Sequence, residues 1–315
     1  MGRTTASAPG KVILYGEHAV VYGYPAIAAP VTQVRATVTV CDGDTPGVRL
    51  LAPDVGRDVW VADAREDDAL AAAVRLVQQR AGLEELPPLV IHLESTIPIA
   101  GGLGSGAASA AAVIRALAMH LQQVELSSDA AVCDLTYLVE RIHHGTPSGI
   151  DNTVVAYERP VYFVRRHPEN RIEPLVVGRP VHLLVGDTGL RSATHAVVSD
   201  VRRRWQEEPE RFAPLFAACG AIAEEARTAL EAGDLARLGT LMDENHRRLQ
   251  EMTVSDPALD RLVAVARDAG ALGAKLSGAG RGGNMIALVE SEQIEEVRQA
   301  LLSAGAVQIL ASVLA

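Results

Sequence analysis

Aromatic residues are scarce in this 315-residue chain: phenylalanine, tyrosine and tryptophan together make up 3% of it. Alanine, valine and leucine supply the apolar content instead, and a core of this kind packs helices closely through small side chains. Cysteine is rare as well. Cys41, Cys133 and Cys219 are scattered and form no CxxC pair, which is typical of buried structural thiols in a reducing compartment.

Long apolar runs and an excess of positive charge are also missing. No run of eighteen apolar residues is present, and the segment MGRTTASAPGKVILYGEH has no long apolar stretch, so the sequence predicts a soluble, cytoplasmic protein without a membrane span. The 29 basic side chains are outnumbered by 39 acidic ones, which leaves a formal net charge of −10. Such a balance disfavours nucleic acid and anionic membranes as partners, although a local cluster of basic and amide groups can still bind a small anion.

Strand and helix patterns follow one another without strict alternation, which predicts an α+β fold. Strands are expected in KVILYG, TQVRATVTVC, GVRLL, PLVIHLEST, NTVVAY and PVYFVR, and helices in EDDALAAAVRLVQQRAG, residues 104–122 and SSDAAVCDLTYLVERIHH. Residues 192–269 read as three or four helices, followed by strand, glycine loop and strand in ALGAKLSGAGRGGNMIALVE, a helix near 291–304 and a strand in AVQILAS. The length favours two domains, 1–180 and 181–315.

The segment PIAGGLGSGAA places Gly101, Gly102, Gly104 and Gly106 within six positions, directly before a predicted helix. Strand, glycine loop and helix in this order point several backbone N–H groups at one spot, where the helix dipole also favours an anion such as phosphate. Ser105 adds a hydroxyl. The spacing matches neither the Walker pattern nor GxGxxG, and a simple tight turn before a packed helix is the alternative.

Three further segments accompany this loop: SAPGKVILYGEHAVVYGYPA at 7–26, HGTPSGIDN at 144–152 and SGAGRGG at 277–283. In order and spacing, the segments resemble the motifs of the GHMP kinase family, and within it those of the mevalonate kinases. MDENHRRLQEMTVSDPALDRLV is similar to their C-terminal half, so the resemblance covers most of the chain. It implies a GHMP kinase fold with a ribosomal-protein-S5-like N-terminal domain and a ferredoxin-like C-terminal domain.

The resemblance implies ATP-dependent phosphorylation of the 5-hydroxyl of mevalonate, with Mg²⁺ as cofactor. Asp151 would accept the hydroxyl proton, and Lys11 would keep that carboxylate ionised and steady the alcohol. A loop-capping aspartate and a solvated lysine at a strand end are the alternative interpretations. The ATP phosphates would lie on the loop formed by Gly101, Gly102, Leu103, Gly104, Ser105, Gly106 and Ala107.

The implied magnesium ligands are Glu140, eleven residues before Asp151 on the preceding helix, and Ser105. A hard cation prefers such a carboxylate together with phosphate oxygens. An ordinary exposed helix glutamate beside Arg141 is the alternative. The family loop usually reads GLGSSA, whereas this chain has GLGSGA. Gly106 therefore removes one hydroxyl, and the geometry around the metal is left open.

Other positions would surround the acid substrate. An imidazole can hydrogen-bond a carboxylate or a hydroxyl at neutral pH, and a guanidinium can pair a carboxylate through two hydrogen bonds, which makes Arg191 a further candidate. Arg281 stands where the family has glycine, and either contacts a phosphate or faces solvent. Ser148 is a substrate contact or only part of a turn. The substrate-binding residues implied are Glu17, His18, Ser148 and Thr194.

Rival functions share the fold. A relative acting on phosphomevalonate, homoserine or a sugar is one, although Ala19-Val20 stands where galactokinase-type sequences have threonine and aspartate. Lys11 argues against the decarboxylase branch, which usually lacks it. A non-catalytic ligand sensor is the rival from another class. Homodimers are common in the family, and the resemblance is compatible with one.

Overall fold

The computed structural model describes residues 2–98, 102–144 and 147–315, with the backbone alone at residues 143 and 144. The described residues form two compact units, and neither is one continuous stretch of chain. The first contains the described part of Met1–Lys11 with Val34–Pro98 and Gly104–Glu158, and the second contains Val12–Gln33, the described part of Ile99–Leu103 and Arg159–Ala315. Strands β1 (Arg3–Tyr15) and β2 (Pro25–Asp42) contribute residues to both.

The sheet of the first unit has the order β4 (Arg57–Trp60), β3 (Val48–Ala52), β5 (Leu89–Ser95) and the second half of β2. β3 and β5 run parallel, whereas the other neighbours are antiparallel. In β2 the alternate residues Val34, Ala36, Val38 and Val40 are buried, and those between them are half-buried. One face of the strand therefore enters the core, as the alternating pattern predicted.

Four helices complete the first unit: α1 (Ala69–Arg80), α2 (Ser105–His120), α3 (Asp129–His144) and α4 (Ile150–Tyr157). α2 packs against the other three. Of its ten buried residues, seven are alanine, and these short side chains let neighbouring helices approach closely. The predicted helices at α1, α2 and α3 are confirmed.

The prediction of a strand in NTVVAY is wrong, because these residues lie in α4. The β-branched residues suggested a strand, but Asn152 to Ala156 are all buried in the helix. The hydroxyl of Thr153 donates to the carbonyl of Gly149 at 2.7 Å, so this buried polar group has a hydrogen-bond partner within α4. Packing of α4 against α3 and α2 therefore overrides the local strand preference.

The sheet of the second unit is antiparallel and has the order β11 (Gln308–Leu314), β8 (Val181–Asp187), β10 (Asn284–Val289) and β9 (Gly273–Ser277). Every residue of β10 is buried, as expected for a central strand covered on both faces. In the same unit β6 (Val161–Val164) pairs with Pro25–Ala28 of β2 and with β7 (Arg171–Pro174).

Helices α5 (Thr194–Glu207), α6 (Pro209–Ala232), α7 (Leu235–Glu251), α8 (Pro257–Asp268) and α9 (Ile294–Ser303) belong to the second unit. The predictions for residues 192–315 are confirmed, as is the α+β class. Across the described ranges, no helix is both long and apolar enough to cross a bilayer. The single boundary at residue 180 and the S5-like and ferredoxin-like assignments stay predictions.

Candidate active site

The glycine loop before α2 leaves the start of that helix without a side-chain cap. Gly101 lies outside the described residues. Gly102 and Gly104 have left-handed backbones, with φ of 75° and 72°, and Gly104 is the N-cap residue of α2. Among the described residues, no side chain accepts a hydrogen bond from the first turn of α2. Its amides can therefore bind an anion, as the sequence predicted for phosphate.

The other loop residues differ in what they can offer a ligand. Leu103 and Ala107 are buried at 2% and 1% exposure, so they can contribute backbone groups but not side chains. Ser105 is half-buried and Gly106 is exposed. Apart from its chain neighbours and the backbone of α2, no atom of the described residues lies within 4 Å of the position that a Cβ would occupy at Gly106. The loop thus has space for the side chain that this sequence lacks there.

The side chain of Lys11 contacts residues at the N-termini of both α2 and α4. Its aliphatic chain passes Gly104 so closely that a Cβ there would lie 2.8 Å from Lys11 Cγ. Its Nζ lies 3.0 Å from Oδ1 of Asp151, in the first turn of α4. The Lys11 side chain is 7% exposed and that of Asp151 is 29% exposed. The interpretation of Lys11 as a solvated lysine is therefore wrong, and Asp151 pairs with a side chain as well as lying in the first turn of α4.

Glu140 on α3 belongs to the same group of charges. The pKa of its carboxyl is raised to about 7, mainly by burial and also by the charge of Asp151, and Lys11 acts in the opposite direction. The interpretation as an ordinary exposed glutamate is wrong, because the residue is 9% exposed. Burial and a neighbouring like charge both disfavour its ionised form. An additional cation would relieve this repulsion.

The donors of this group suit a hard cation such as Mg²⁺, which takes carboxylate oxygens together with phosphate oxygens and water. Two carboxyl groups, on Glu140 and Asp151, lie near the single ammonium of Lys11, which forms its ion pair with Asp151. Over the described part of the chain, no cluster of three or more His, Cys, Asp or Glu side chains could hold a metal ion. The residues therefore fit a magnesium ion that also binds phosphate, and do not form an all-protein metal site.

The turn before Asp151 is built from short-range and helix-to-helix hydrogen bonds. The Ile150 amide donates to the hydroxyl of Ser148 at 3.3 Å, and Gly149 has a φ of 92°. Ser148 is thus part of a turn, which was the alternative to a substrate contact. The Asn152 side chain donates to the backbone carbonyl of Cys133 on α3 at 3.2 Å. The first turn of α4 is therefore attached to the helix that carries Glu140.

In the second unit, β1 ends in a tight turn at residues 16–18. Gly16 has a φ of 91°, and a Cβ there would lie 2.4 Å from the carbonyl oxygen of Pro25, so only glycine fits. Its amide donates to Oδ1 of Asn245 at 3.2 Å. The next residue, Glu17, forms an ion pair with Lys275 on β9. Both side chains are enclosed, at 1% and 0% exposure.

His18 follows with a left-handed backbone, φ 60°, and its Nε2 lies 3.0 Å from the carbonyl oxygen of Ala279. Burial, with further contributions from Arg281 and Lys275, lowers the pKa of the imidazole to about 4. The ring is therefore neutral at pH 7. Because a carbonyl can only accept, the proton is assigned to Nε2, and Nδ1 is left as an acceptor. Nδ1 suits a hydroxyl donor better than a carboxylate.

Two candidate arginines are held by carboxylates of the protein itself. Arg191 makes two hydrogen bonds to Asp187, each 2.7 Å. Arg281 donates to Asp200 at 2.6 Å and keeps 34% of its side chain exposed, so its guanidinium is already paired with a carboxylate of the protein. Thr194 is the first residue of α5 and is exposed.

Two family models match the sequence: "GHMP kinases N terminal domain" over residues 68–159 and "GHMP kinases C terminal" over residues 226–307. Together they span more than half of the chain. This chain belongs to the GHMP kinase family. The family expected from the motifs is confirmed, and the protein, as a member of a kinase family, uses ATP.

Individual relatives of this GHMP kinase match it over nearly their full lengths. Mevalonate kinase of Pyrococcus horikoshii is 35% identical, over 98% of this chain and 95% of its own. That of Thermococcus sibiricus is 36% identical, over 99% and 96%. The crystal structure of L. major mevalonate kinase in complex with R-mevalonate has a TM-score of 0.84 at 31% identity, and the match covers 100% of this chain and 96% of that one. The predicted GHMP kinase fold is confirmed.

Lys275 of this GHMP kinase was missed by the sequence analysis. A signal existed, because GAKLS places a lysine within a buried strand, and the same reasoning singled out Lys11. An enclosed ammonium needs a carboxylate or phosphate partner. Its partner, Glu17, is 258 positions away in the sequence, and no local pattern reveals a pairing over that separation.

Proposed function

We propose that this GHMP kinase transfers the γ-phosphoryl group of ATP to the 5-hydroxyl of mevalonate. Support comes from the similarity of the whole chain to proteins named mevalonate kinase, one of them crystallised with R-mevalonate. The observation that carries the proposal is the position of Lys11, whose side chain passes the N-cap of α2 and ends on Asp151. One lysine thus connects an anion-binding helix start to a carboxylate able to accept a proton.

Asp151 is assigned the role of proton acceptor. Phosphoryl transfer to an alcohol depends on positioning, on charge neutralisation and on a group that takes the hydroxyl proton. At 29% side-chain exposure, Asp151 is accessible to a ligand. The ammonium of Lys11 lies 3.0 Å from Oδ1 of this carboxylate and holds it at the start of α4. The same ammonium can also stabilise negative charge that develops on the attacked oxygen.

The phosphates of ATP are assigned to the loop from Gly101 to Ala107. The backbone amides of its described part lie at the uncapped start of α2, where the helix dipole favours negative charge. Glycine at positions 102 and 104 permits the left-handed backbone that turns the loop. Ser105 adds a side-chain hydroxyl. Binding here would rely on backbone groups more than on side chains.

Mg²⁺ is proposed as the cofactor, with Glu140 as its carboxylate ligand and Ser105 as a hydroxyl ligand. The bound ion would neutralise charge on the phosphates of ATP. The two carboxyl groups near Lys11 support this assignment. Gly106 lacks the hydroxyl that the family loop carries, so water or Ser105 would have to complete the ligand set.

The substrate acid is assigned to the second unit. His18 would accept a hydrogen bond from a substrate hydroxyl through Nδ1, and Thr194 would offer its exposed hydroxyl. Ser148 remains proposed as a substrate contact, although it takes part in a turn. Glu17, also expected at the substrate, is enclosed with Lys275, so its effect on the substrate is proposed to act through the adjacent His18. The homodimer and the cytoplasmic location stay predictions.

The test is ADP release by the purified protein with ATP and Mg²⁺, in the presence of mevalonate, phosphomevalonate, homoserine or galactose. Turnover with mevalonate alone is expected. In Asp151→Asn, kcat should fall about 10³-fold, because the proton acceptor is lost. Asp134→Asn is the matched control, since Asp134 is an exposed carboxylate on α3.

The outcomes separate the rival functions. Turnover with another alcohol alone would support phosphoryl transfer from ATP but would show that mevalonate is not the substrate. If no ADP is released with any of the four alcohols and the protein still binds ATP, the ligand sensor is favoured. Full activity of Asp151→Asn would show that Asp151 is not the proton acceptor.

A further inference from the structure

An enclosed ion pair in the second unit has no role in the phosphoryl transfer described above. Glu17 and Lys275 are 1% and 0% exposed, and the ammonium also donates to the carbonyl of Leu276 at 2.6 Å. Charged groups are rarely buried this completely unless they are paired. At 1% exposure, Glu17 has almost no surface with which to touch a ligand, so a role for this carboxylate must act through its neighbours.

The ion pair is one of several links between the end of β1 and the third glycine motif. Ser277 receives a hydrogen bond from the Ile13 amide at 3.2 Å and donates one to the Ile13 carbonyl at 3.0 Å. Four residues after Ile13, in the turn that follows β1, Glu17 pairs with Lys275, and the imidazole of His18 lies 3.0 Å from the Ala279 carbonyl. The end of β1 and the turn after it are therefore joined to β9 and to the glycine loop after β9 at three points along the chain.

The charges on this turn matter for a substrate that is itself an anion. Glu17 directly precedes His18, the residue proposed to contact the hydroxy acid. Loss of Lys275 would remove the ammonium that pairs with this buried carboxylate, beside the proposed site of another carboxylate. Like charges in a medium of low dielectric repel more strongly than they do in water. The ammonium of Lys275 cancels that charge.

We propose that Lys275 is a positioning residue for substrate binding: it neutralises Glu17 and holds the 16–18 turn so that a neutral His18 can accept an anionic hydroxy acid. This inference rests on the proposed function. Lys275 itself does not touch the substrate, since its side chain is fully enclosed and both of its hydrogen-bond acceptors belong to the protein.

The experiment compares steady-state kinetics of wild type, Lys275→Met, Glu17→Gln and the double variant, with KM measured separately for mevalonate and for ATP. Lys275→Met should raise the KM for mevalonate at least tenfold and change the KM for ATP less than twofold. In the double variant the charge is absent from both sides, and the KM for mevalonate should return to within about fivefold of wild type. Leu262→Ala, a core truncation on α8, controls for general loss of stability and should leave the ratio of the two KM values unchanged.

Other outcomes would overturn the inference. A double variant as impaired as Lys275→Met would mean that the ammonium binds substrate directly, and equal rises in both KM values would mean a merely structural role. If Lys275→Met does not fold, the double variant compared with wild type decides, because it leaves no unpaired buried charge. A wild type that does not turn over mevalonate would refute the proposed function instead.

Discussion

Each unit of the protein buries a lysine against a carboxylate, and the two ion pairs differ in enclosure. In the first unit Lys11 is 7% exposed, but its partner Asp151 is 29% exposed. In the second unit Lys275 and Glu17 are both almost completely enclosed. A pair that keeps one group in contact with solvent can exchange a proton with a ligand, whereas an enclosed pair can only hold structure and balance charge. The Lys11–Asp151 pair is therefore suited to catalysis, and the Lys275–Glu17 pair is suited to positioning neighbouring residues.

The largest expected difference between the two pairs concerns stability. Removing one partner of an enclosed pair leaves an unpaired buried charge, so Lys275→Met should lower the free energy of unfolding by about 3–5 kcal/mol. Lys11→Met leaves Asp151 partly hydrated and should lower it by about 1–2 kcal/mol. Urea unfolding of both variants measures the two values. Equal losses of unfolding free energy in the two variants would show that the difference in enclosure does not affect stability.

Acid should act on the second unit through its enclosed histidines. Burial lowers the pKa of His246 from 6.5 to about 4, so below pH 6.5 the unfolded state takes up a proton that the folded state does not. Stability is then lost as the pH falls from 6.5 to 4, by about 3 kcal/mol for this residue. Denaturant unfolding at pH 7.5 and 4.5 should show a smaller loss in His246→Asn than in wild type.

In that comparison His246→Asn is expected to be less stable than wild type at pH 7.5, because its hydrogen bonds to Asp260 and to the Leu276 amide are altered. The decisive quantity is the change between the two pH values. An equal change in both proteins would show that His246 titrates normally.

Two glycines of the loop proposed to bind ATP form a matched pair that tests the role of Lys11. Gly104→Ala introduces a Cβ 2.8 Å from Lys11 Cγ at a left-handed backbone position, so it should cost about 1–2 kcal/mol of stability and lower kcat at least tenfold by displacing the lysine. Gly106→Ala enters open space and should change stability by less than about 1 kcal/mol. Thermal unfolding and ADP release measure both effects. Similar behaviour of the two variants would argue against close packing of Lys11 on the loop.

The smallest effect is expected for Arg281→Gly in the second unit. The substitution relieves a left-handed backbone, φ 53°, but it removes a partly exposed ion pair with Asp200. These two contributions oppose each other, and the net change in stability should stay within about 1 kcal/mol. The KM for ATP should not change, because Asp200 already binds the guanidinium. A several-fold rise in that KM would instead indicate a phosphate contact.

Much of the fold followed from patterns along the chain. Alternation predicted β2, helical spacing predicted α1 to α3 and α5 to α9, and glycine loops flanked by apolar runs predicted the start of α2 and the connection between β9 and β10. The failure at α4 has a definite cause. A short run of β-branched residues satisfies a strand pattern, and only the contacts of α4 with α3 and α2 make the helix more stable.

The sequence by itself determined the family, because motif order and glycine spacing are local properties that survive without any contact information. It also marked Lys11, Glu140 and Asp151 as candidates for a phosphoryl-transfer site. Only the tertiary structure decided which charges meet. Glu17 pairs with Lys275, Arg191 with Asp187 and Arg281 with Asp200, and each pairing assigns a side chain that the sequence left open to a ligand or to solvent. The physical reason is that the fate of a buried charge depends on which partner the fold brings within hydrogen-bond distance, and the long-range pairings, such as that of Glu17 with Lys275, come from packing and leave no periodic signal in the chain.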